Sequence, residues 1–277
     1  MDVSRRNFLK IGFNTLGIAA ATSVLNSTEK SKSDLEEKVK TWDPEILGFI
    51  EQNKKIISES ANKYQLPPEF LASVLYTEKL ETGLIDRILD CILPFLGFDS
   101  SIGDGQIRKH TAAEADGKNY DRLSYKARHS YKEKLLGINS NIEYSAKVLR
   151  YLINRANRFP NAPLEQLEKS PDLMAIAATE YNLGTKNSEA KNAKPNYYGF
   201  KIVGNLLDDS PLHKIFGKNS NSMAQNIKKY LDGNKDSVAE SLRNYEAERE
   251  KRIIRRTGGL TGGLALSLSA WYLTLRK

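Results

Sequence analysis

Cysteine is almost missing from this chain. Cys91 is the only one in 277 residues, which excludes an intrachain disulfide and a thiolate zinc site. Histidine is nearly as scarce, and His110, His129 and His213 show no ligand-like spacing, so neither a metal nor any other cofactor is expected. Almost no stretch alternates apolar and polar residues as a half-buried strand does, so the class is mostly α. What the chain does have is a core's worth of apolar residues, 40% of the total, and an excess of positive charge. Its 42 Lys and Arg stand against 34 Asp and Glu, a net charge of +8. That balance suits an anionic partner such as nucleic acid, anionic lipid or an acidic wall polymer. The basic residues are scattered rather than interleaved with aromatics, so nucleic acid is not expected.

Apolar runs and charge divide the chain. Ser4-Arg5-Arg6-Asn7-Phe8-Leu9-Lys10, followed by the mildly apolar residues 11–25, has the layout of a targeting segment. It resembles the twin-arginine export consensus Ser-Arg-Arg-x-Phe-Leu-Lys at every fixed position. Residues 1–25 are therefore expected to be a signal or a retained anchor, since Ala19-Ala20-Ala21-Thr22-Ser23 offers no clean Ala-x-Ala cleavage site. Residues 26–42 are polar and charged and read as a linker. The uncharged stretch 258–275, bracketed by Arg255, Arg256, Arg276 and Lys277, meets the lower limit for a bilayer span, with Trp271 and Tyr272 suited to an interface. Both ends point to the cytoplasmic membrane as a partner and to an exported, periplasmic or otherwise extracytoplasmic location.

Residues 43–217 read as one helical domain. Asp43-Pro44 predicts a helix by N-cap and first-turn proline, running to about Tyr64. Leu66-Pro67-Pro68-Glu69 breaks it and opens a second helix up to Glu78. The spacing of Leu84, Ile85, Ile88, Leu89, Ile92 and Leu93 predicts a further helix over 84–96, and 97–108 reads as a loop or short irregular hairpin. Asn141-Ile142, Pro171-Asp172 and Tyr197-Tyr198 open three more helices. Residues 218–257 are highly charged and read as a solvent-facing helical stalk.

Glu78 closes the apolar run Phe70-Leu71-Ala72-Ser73-Val74-Leu75-Tyr76. A carboxyl at such a helix end is costly to ionise, so its pKa rises and it can act as a general acid near neutrality. Glu81, one turn on, is the rival. Further along lie Gly103-Asp104-Gly105-Gln106-Ile107 with Thr111-Ala112, then Asn141-Ile142, Tyr181-Asn182-Leu183-Gly184 and Tyr197-Tyr198. In this order, over about 45–216, these pieces resemble the lysozyme-like catalytic domain of bacterial lytic transglycosylases of the soluble type. The resemblance implies a lysozyme-like α-helical domain with a small irregular or hairpin region, acting on peptidoglycan glycan strands. It implies Glu78 as acid and then base: the MurNAc–GlcNAc bond is cut and the muramoyl 6-hydroxyl closes a 1,6-anhydro ring. Substrate contacts fall by the same resemblance to Gln106, Ile107, Tyr181, Asn182 and Tyr197.

The chain departs from that family in three ways. Lys79 stands where serine usually follows the glutamate, Asp104-Gly105 stands where Leu-Met is usual, and the segment between Glu78 and Ser101 is long. Asp99 or Asp104 is thus the candidate second carboxylate of a hydrolytic alternative, similar to goose-type lysozymes. A catalytically inactive, glycan-binding scaffold is the third reading. A cation beside the acid would lower its pKa, so Lys79 is expected to point away, as neighbouring helix positions diverge by about 100°.

Overall fold

The computed structural model describes residues 42–81, 101–155, 163–184, 194–217, 221–245 and 247. The chain divides into a unit Met1–Pro44, described only over 42–44, and a unit Glu45–Lys277. The expected signal over 1–25, nearly all of the linker over 26–42, the helix over 84–96, Cys91, Asp99 and the apolar stretch 258–275 lie outside the described residues. The described residues are mostly helical, and none of their helices is long and apolar enough to cross a membrane.

The helix expected from Pro44 to about Tyr64 is two helices, α1 (Pro44–Gln52) and α2 (Lys54–Lys63). Asn53 separates them: its ψ of 9° leaves the helical range, and its Nδ2 donates back to the Phe49 carbonyl at 2.8 Å. An asparagine side chain that competes for backbone carbonyls in this way interrupts a helix without any proline. Gln65, at φ +54°, turns the chain out of α2, and the Leu66 N–H caps the Ala61 carbonyl at 2.8 Å. Pro68 then starts α3 (Pro68–Glu81).

Helix α3 is buried all round from Pro68 to Glu78, the signature of a central core helix. It packs against α2, against α6 (Ile138–Arg155), against α9 (Tyr197–Gly204) and against α10 (Pro211–Phe216). Its polar side chains are satisfied across those contacts: Ser73 Oγ donates to the Ile202 carbonyl at 2.8 Å, and Thr77 Oγ1 accepts from Asn205 Nδ2 at 3.2 Å. The region expected as loop or hairpin resolves, over 101–108, into a two-stranded antiparallel ribbon, β1 (Ser101–Ile102) and β2 (Ile107–Arg108).

From β2 the chain enters α4 (Lys109–Ala115) and then α5 (Tyr125–Leu136). The high charge of α5 hides its helical period in the sequence, and Ser124 caps it through the Ala127 N–H. Asp116, just past α4, is a polar hub: it accepts from Tyr131 at 2.7 Å on α5, and from Tyr144 at 3.1 Å and Lys147 on α6. Burial pushes its carboxyl up, but those donors outweigh burial and hold it below the usual aspartate value. The remaining elements are α7 (Leu164–Glu168), α8 (Pro171–Leu183) and α11 (Asn221–Gly233).

The solvent-facing reading of 218–257 does not hold for α11. Met223, Ala224 and Ile227 are buried, and the helix packs on α7, α8 and α9. Three apolar residues at helical spacing suffice to dock a helix whose other positions are mostly polar.

Helices α8 and α9 pack tightly against each other. A Cβ on Gly199 would lie 2.2 Å from the Ala175 carbonyl oxygen and 2.3 Å from Thr179 Oγ1. The two helices therefore approach at a distance only glycine permits. Gly199→Ala is expected to force them apart and lower stability by about 1–3 kcal/mol, read from the midpoint of urea unfolding.

Candidate active site

Glu78 sits on the last turns of α3 with its carboxyl almost enclosed; 8% of the residue remains exposed. Burial pushes its pKa from the usual 4.5 up to about 8. A hydrogen bond from Tyr198 and the charge of Lys201 pull it down, and Glu81 pushes it up, but burial outweighs them. Tyr198 Oη donates to Glu78 Oε1 at 2.5 Å. That bond, accepted at Oε1, orients the carboxyl. The Tyr198 hydroxyl is held well above its ordinary pKa, first by its own burial and then by the neighbouring carboxyl, so it remains a donor.

Tyr198 reaches Glu78 because of how α9 begins. Asn196 caps the helix, its Oδ1 accepting from the Gly199 N–H at 3.1 Å, while Thr179 of α8 bonds both the Asn196 N–H at 3.0 Å and its side chain at 3.1 Å. The cap therefore sets the helix phase, and Gly199 lets it close on α8. Tyr198 was not among the expected site residues; Tyr197 was. Tyr197 is half-buried, and its ring lies 4.7 Å from that of Tyr245. Helical phase distinguishes the two: Tyr198 stands four residues before buried Ile202, Tyr197 four before Lys201.

The other motifs meet at the turn between β1 and β2. Asn141, in the first turn of α6, makes three hydrogen bonds, two to the ribbon and one to α5. Its Oδ1 accepts from the Gly105 N–H at 2.7 Å, and its Nδ2 donates to the Ile102 and Leu135 carbonyls at 2.9 Å each. Tyr181 of α8 donates to the Gly105 carbonyl at 2.5 Å and lies 3.1 Å from Ser145 Oγ. No side chain fits at Gly105: a Cβ there would lie 2.0 Å from Ser145 Oγ. Asn141 and Ser145 were missed because a buried amide in a helix's first turn looks, in sequence, like an ordinary start signal.

The expected contact residues divide accordingly. Tyr181 is buried with its hydroxyl on the turn, and burial followed by the charge of Glu78 drives its pKa far above the usual value. Gln106 adopts φ +48° and turns its Nε2 back onto the Gly103 carbonyl at 3.1 Å. Ile107 is a core residue, 2% exposed, whereas Asn182 is exposed on the last turn of α8. Asp104 is bonded to Lys79, Oδ1 to Nζ at 2.5 Å, and that ammonium also lies 3.9 Å from the Phe49 ring centroid. Lys79 thus points to the turn and to α1. Glu81, the rival acid, pairs with Lys201 at 3.0 Å.

Among the described residues no group of three His, Cys, Asp or Glu side chains could hold a metal ion. The arrangement offers one near-neutral carboxyl acid with a hydroxyl orienting it, beside a rigid, hydrogen-bonded turn. No protein-family model matches the chain, and no curated protein does.

The raised pKa has a stability signature. Between 4.5 and about 8 the folded protein keeps a proton on Glu78 that the unfolded chain has released. Stability therefore falls as pH rises across that window, by roughly 1.4 kcal/mol per pH unit from this one group. Urea unfolding of Glu78→Gln is expected to show a flatter pH dependence there than the wild type. Tyr198→Phe removes a bond that favours the carboxylate, so the Glu78 pKa is expected to rise further, as read by carbon-detected NMR titration of the side-chain carboxyl.

Proposed function

We propose that the protein is a peptidoglycan lytic transglycosylase with a lysozyme-like domain, in which Glu78 is the single catalytic carboxyl. The observation that carries this reading is the protonated-range carboxyl of Glu78, with Tyr198 bonded to Oε1. Its surroundings add support. Pieces of sequence far apart in the chain converge on one another there: Tyr198 on Glu78, and Asn141 and Tyr181 on Gly105.

The chemistry follows from one acid. Glu78 gives its proton to the glycosidic oxygen as the bond to the muramoyl anomeric carbon breaks. The substrate's own acetamido group shares the positive charge that develops. The Glu78 carboxylate so formed then takes the proton of the muramoyl 6-hydroxyl, whose oxygen closes on the anomeric carbon to give the 1,6-anhydro sugar. Glu78 ends protonated, ready for another cycle, and no water is consumed. Conventional glycosidases set two carboxyl groups across the bond; here the second oxygen nucleophile belongs to the substrate. A hydrolase would need a second carboxylate to hold water; Asp104 Oδ1 is bonded to Lys79, and Asp99, the other candidate, lies outside the described residues.

The net charge of +8 suits an acidic wall polymer. On the sequence resemblance alone, residues 1–25 direct export by the twin-arginine route, and they and residues 258–275 attach the chain to the membrane.

Purified protein is expected to release muropeptides from sacculi whose mass is one water lower than that of hydrolytic products. Glu78→Gln is expected to lower the rate by at least a hundredfold, the scale of a lost general acid. Because the first step needs the protonated form, the wild-type rate should fall as pH rises through about 8. Products of full hydrolytic mass would replace this reading by the goose-type one. Binding to sacculi without release, equal in wild type and Glu78→Gln, would replace it by the scaffold reading.

A further inference from the structure

The two places where the site sequence departs most sharply from the lytic-transglycosylase pattern are bonded to each other. Lys79 follows the proposed acid on α3, Asp104 is in the β1–β2 turn, and Nζ and Oδ1 are 2.5 Å apart. Neither is an ordinary surface group: the side chains are 17% and 30% exposed, and an ion pair so far removed from water is less screened than a surface pair. The ammonium also sits 3.9 Å from the centroid of the Phe49 ring on α1, the geometry of a cation–π contact. One charged group therefore joins α1, the acid-bearing helix and the turn.

The same turn is held from the opposite direction by neutral bonds. Asn141 takes the Gly105 N–H and Tyr181 takes the Gly105 carbonyl. Those two residues fix the turn to α6 and α8, and reach α3 only indirectly, through the packing of α6 on it. The pair of Lys79 and Asp104 supplies a direct tie to α3, from the residue next to Glu78. We propose that Lys79 and Asp104 form a positioning latch that holds the Gly103–Gln106 turn in register with Glu78. The latch rests on the reading of Glu78 as the acid. It is itself noncatalytic, acting through the turn, where a displacement of about 1 Å can cost on the order of a hundredfold in rate.

The test is a double-mutant cycle on the full chain, using Lys79→Met, Asp104→Asn, the combined variant and the conservative Lys79→Arg. Two readouts are taken: hydrogen exchange of the segment 101–108, and kcat and KM for anhydromuropeptide release. Each single variant is expected to speed exchange in 101–108 at least tenfold and to lower kcat about tenfold or more, with KM changed less than twofold. The combined variant is expected to be no worse than either single one, and Lys79→Arg to restore most of both.

Additive losses in the combined variant would overturn the latch. So would faster exchange with an unchanged kcat, which is the behaviour of a merely stabilising pair. If wild-type protein releases nothing from sacculi, the proposed activity fails separately. Exchange then decides the latch alone, which is lost if protection in 101–108 is unchanged in both single variants.

Discussion

A carboxyl group inside a packed helix depends on what reaches it from elsewhere in the chain. The Tyr198 hydroxyl comes to Glu78 from 120 residues away, and that one bond makes sense of several others. It requires α9 to begin at a fixed phase, which Asn196 and Thr179 set, and to lie against α8 closely enough that position 199 can have no side chain. Without the bond the carboxyl would be buried with one fewer donor, and burying polar groups without partners is costly. With it, the group has an orientation. Packing of α8 on α9 and the chemistry at Glu78 are thus one arrangement, seen first as packing and then as acid–base geometry.

Around that bond the structure separates stiffness from reactivity. The β1–β2 turn includes two glycines and a glutamine at φ +48°, a conformation that would stray if left to itself. Asn141 and Tyr181 hold it through the backbone of Gly105 rather than through side chains. Main-chain grips of this sort hold the turn's path at a position where no side chain fits. The Asp116 hub does comparable work further out, tying the end of α4 to α5 and α6 through tyrosine and lysine donors. In both places a helix-borne polar side chain satisfies groups on another element, so register between elements is fixed by directional bonds as well as by apolar area.

How much of this was legible in the sequence depended on the range of the cause. Helix starts at Pro68 and Pro171 follow from local chemistry, and both stand where the residues predict them. The break at Asn53 is also local, yet an asparagine in mid-helix has two behaviours open to it and only the structure selects one. Glu78 was legible because burial follows from the apolar run before it. Tyr198 was within reach, since its phase with Ile202 marks the inner face, but a tyrosine pair invites the choice of the wrong ring. Lys79 was expected to point away from the cleft; its ammonium bonds Asp104 of the β1–β2 turn and sits over the Phe49 ring, and that partner was not foreseen, because an ion pair between a helix and a turn leaves no periodic trace. Helix α11 was misread for the opposite reason: the charge of 218–257 as a whole dominates the reading, while three buried residues decide the packing of this helix.

Burial alone does not single out Glu78. Glu69 and Glu180 are fully enclosed, at 0% exposure, and both lie in helices of the same core. A reacting acid has to satisfy two demands that conflict. It must be dry enough to stay protonated near neutrality, yet an oxygen of it must remain accessible to another molecule. Glu78 keeps 8% exposure, against none for the other two. The tyrosine then occupies Oε1 from the protein side. What remains is a carboxyl whose burial sets its proton affinity and which keeps a residual exposure that the other two lack.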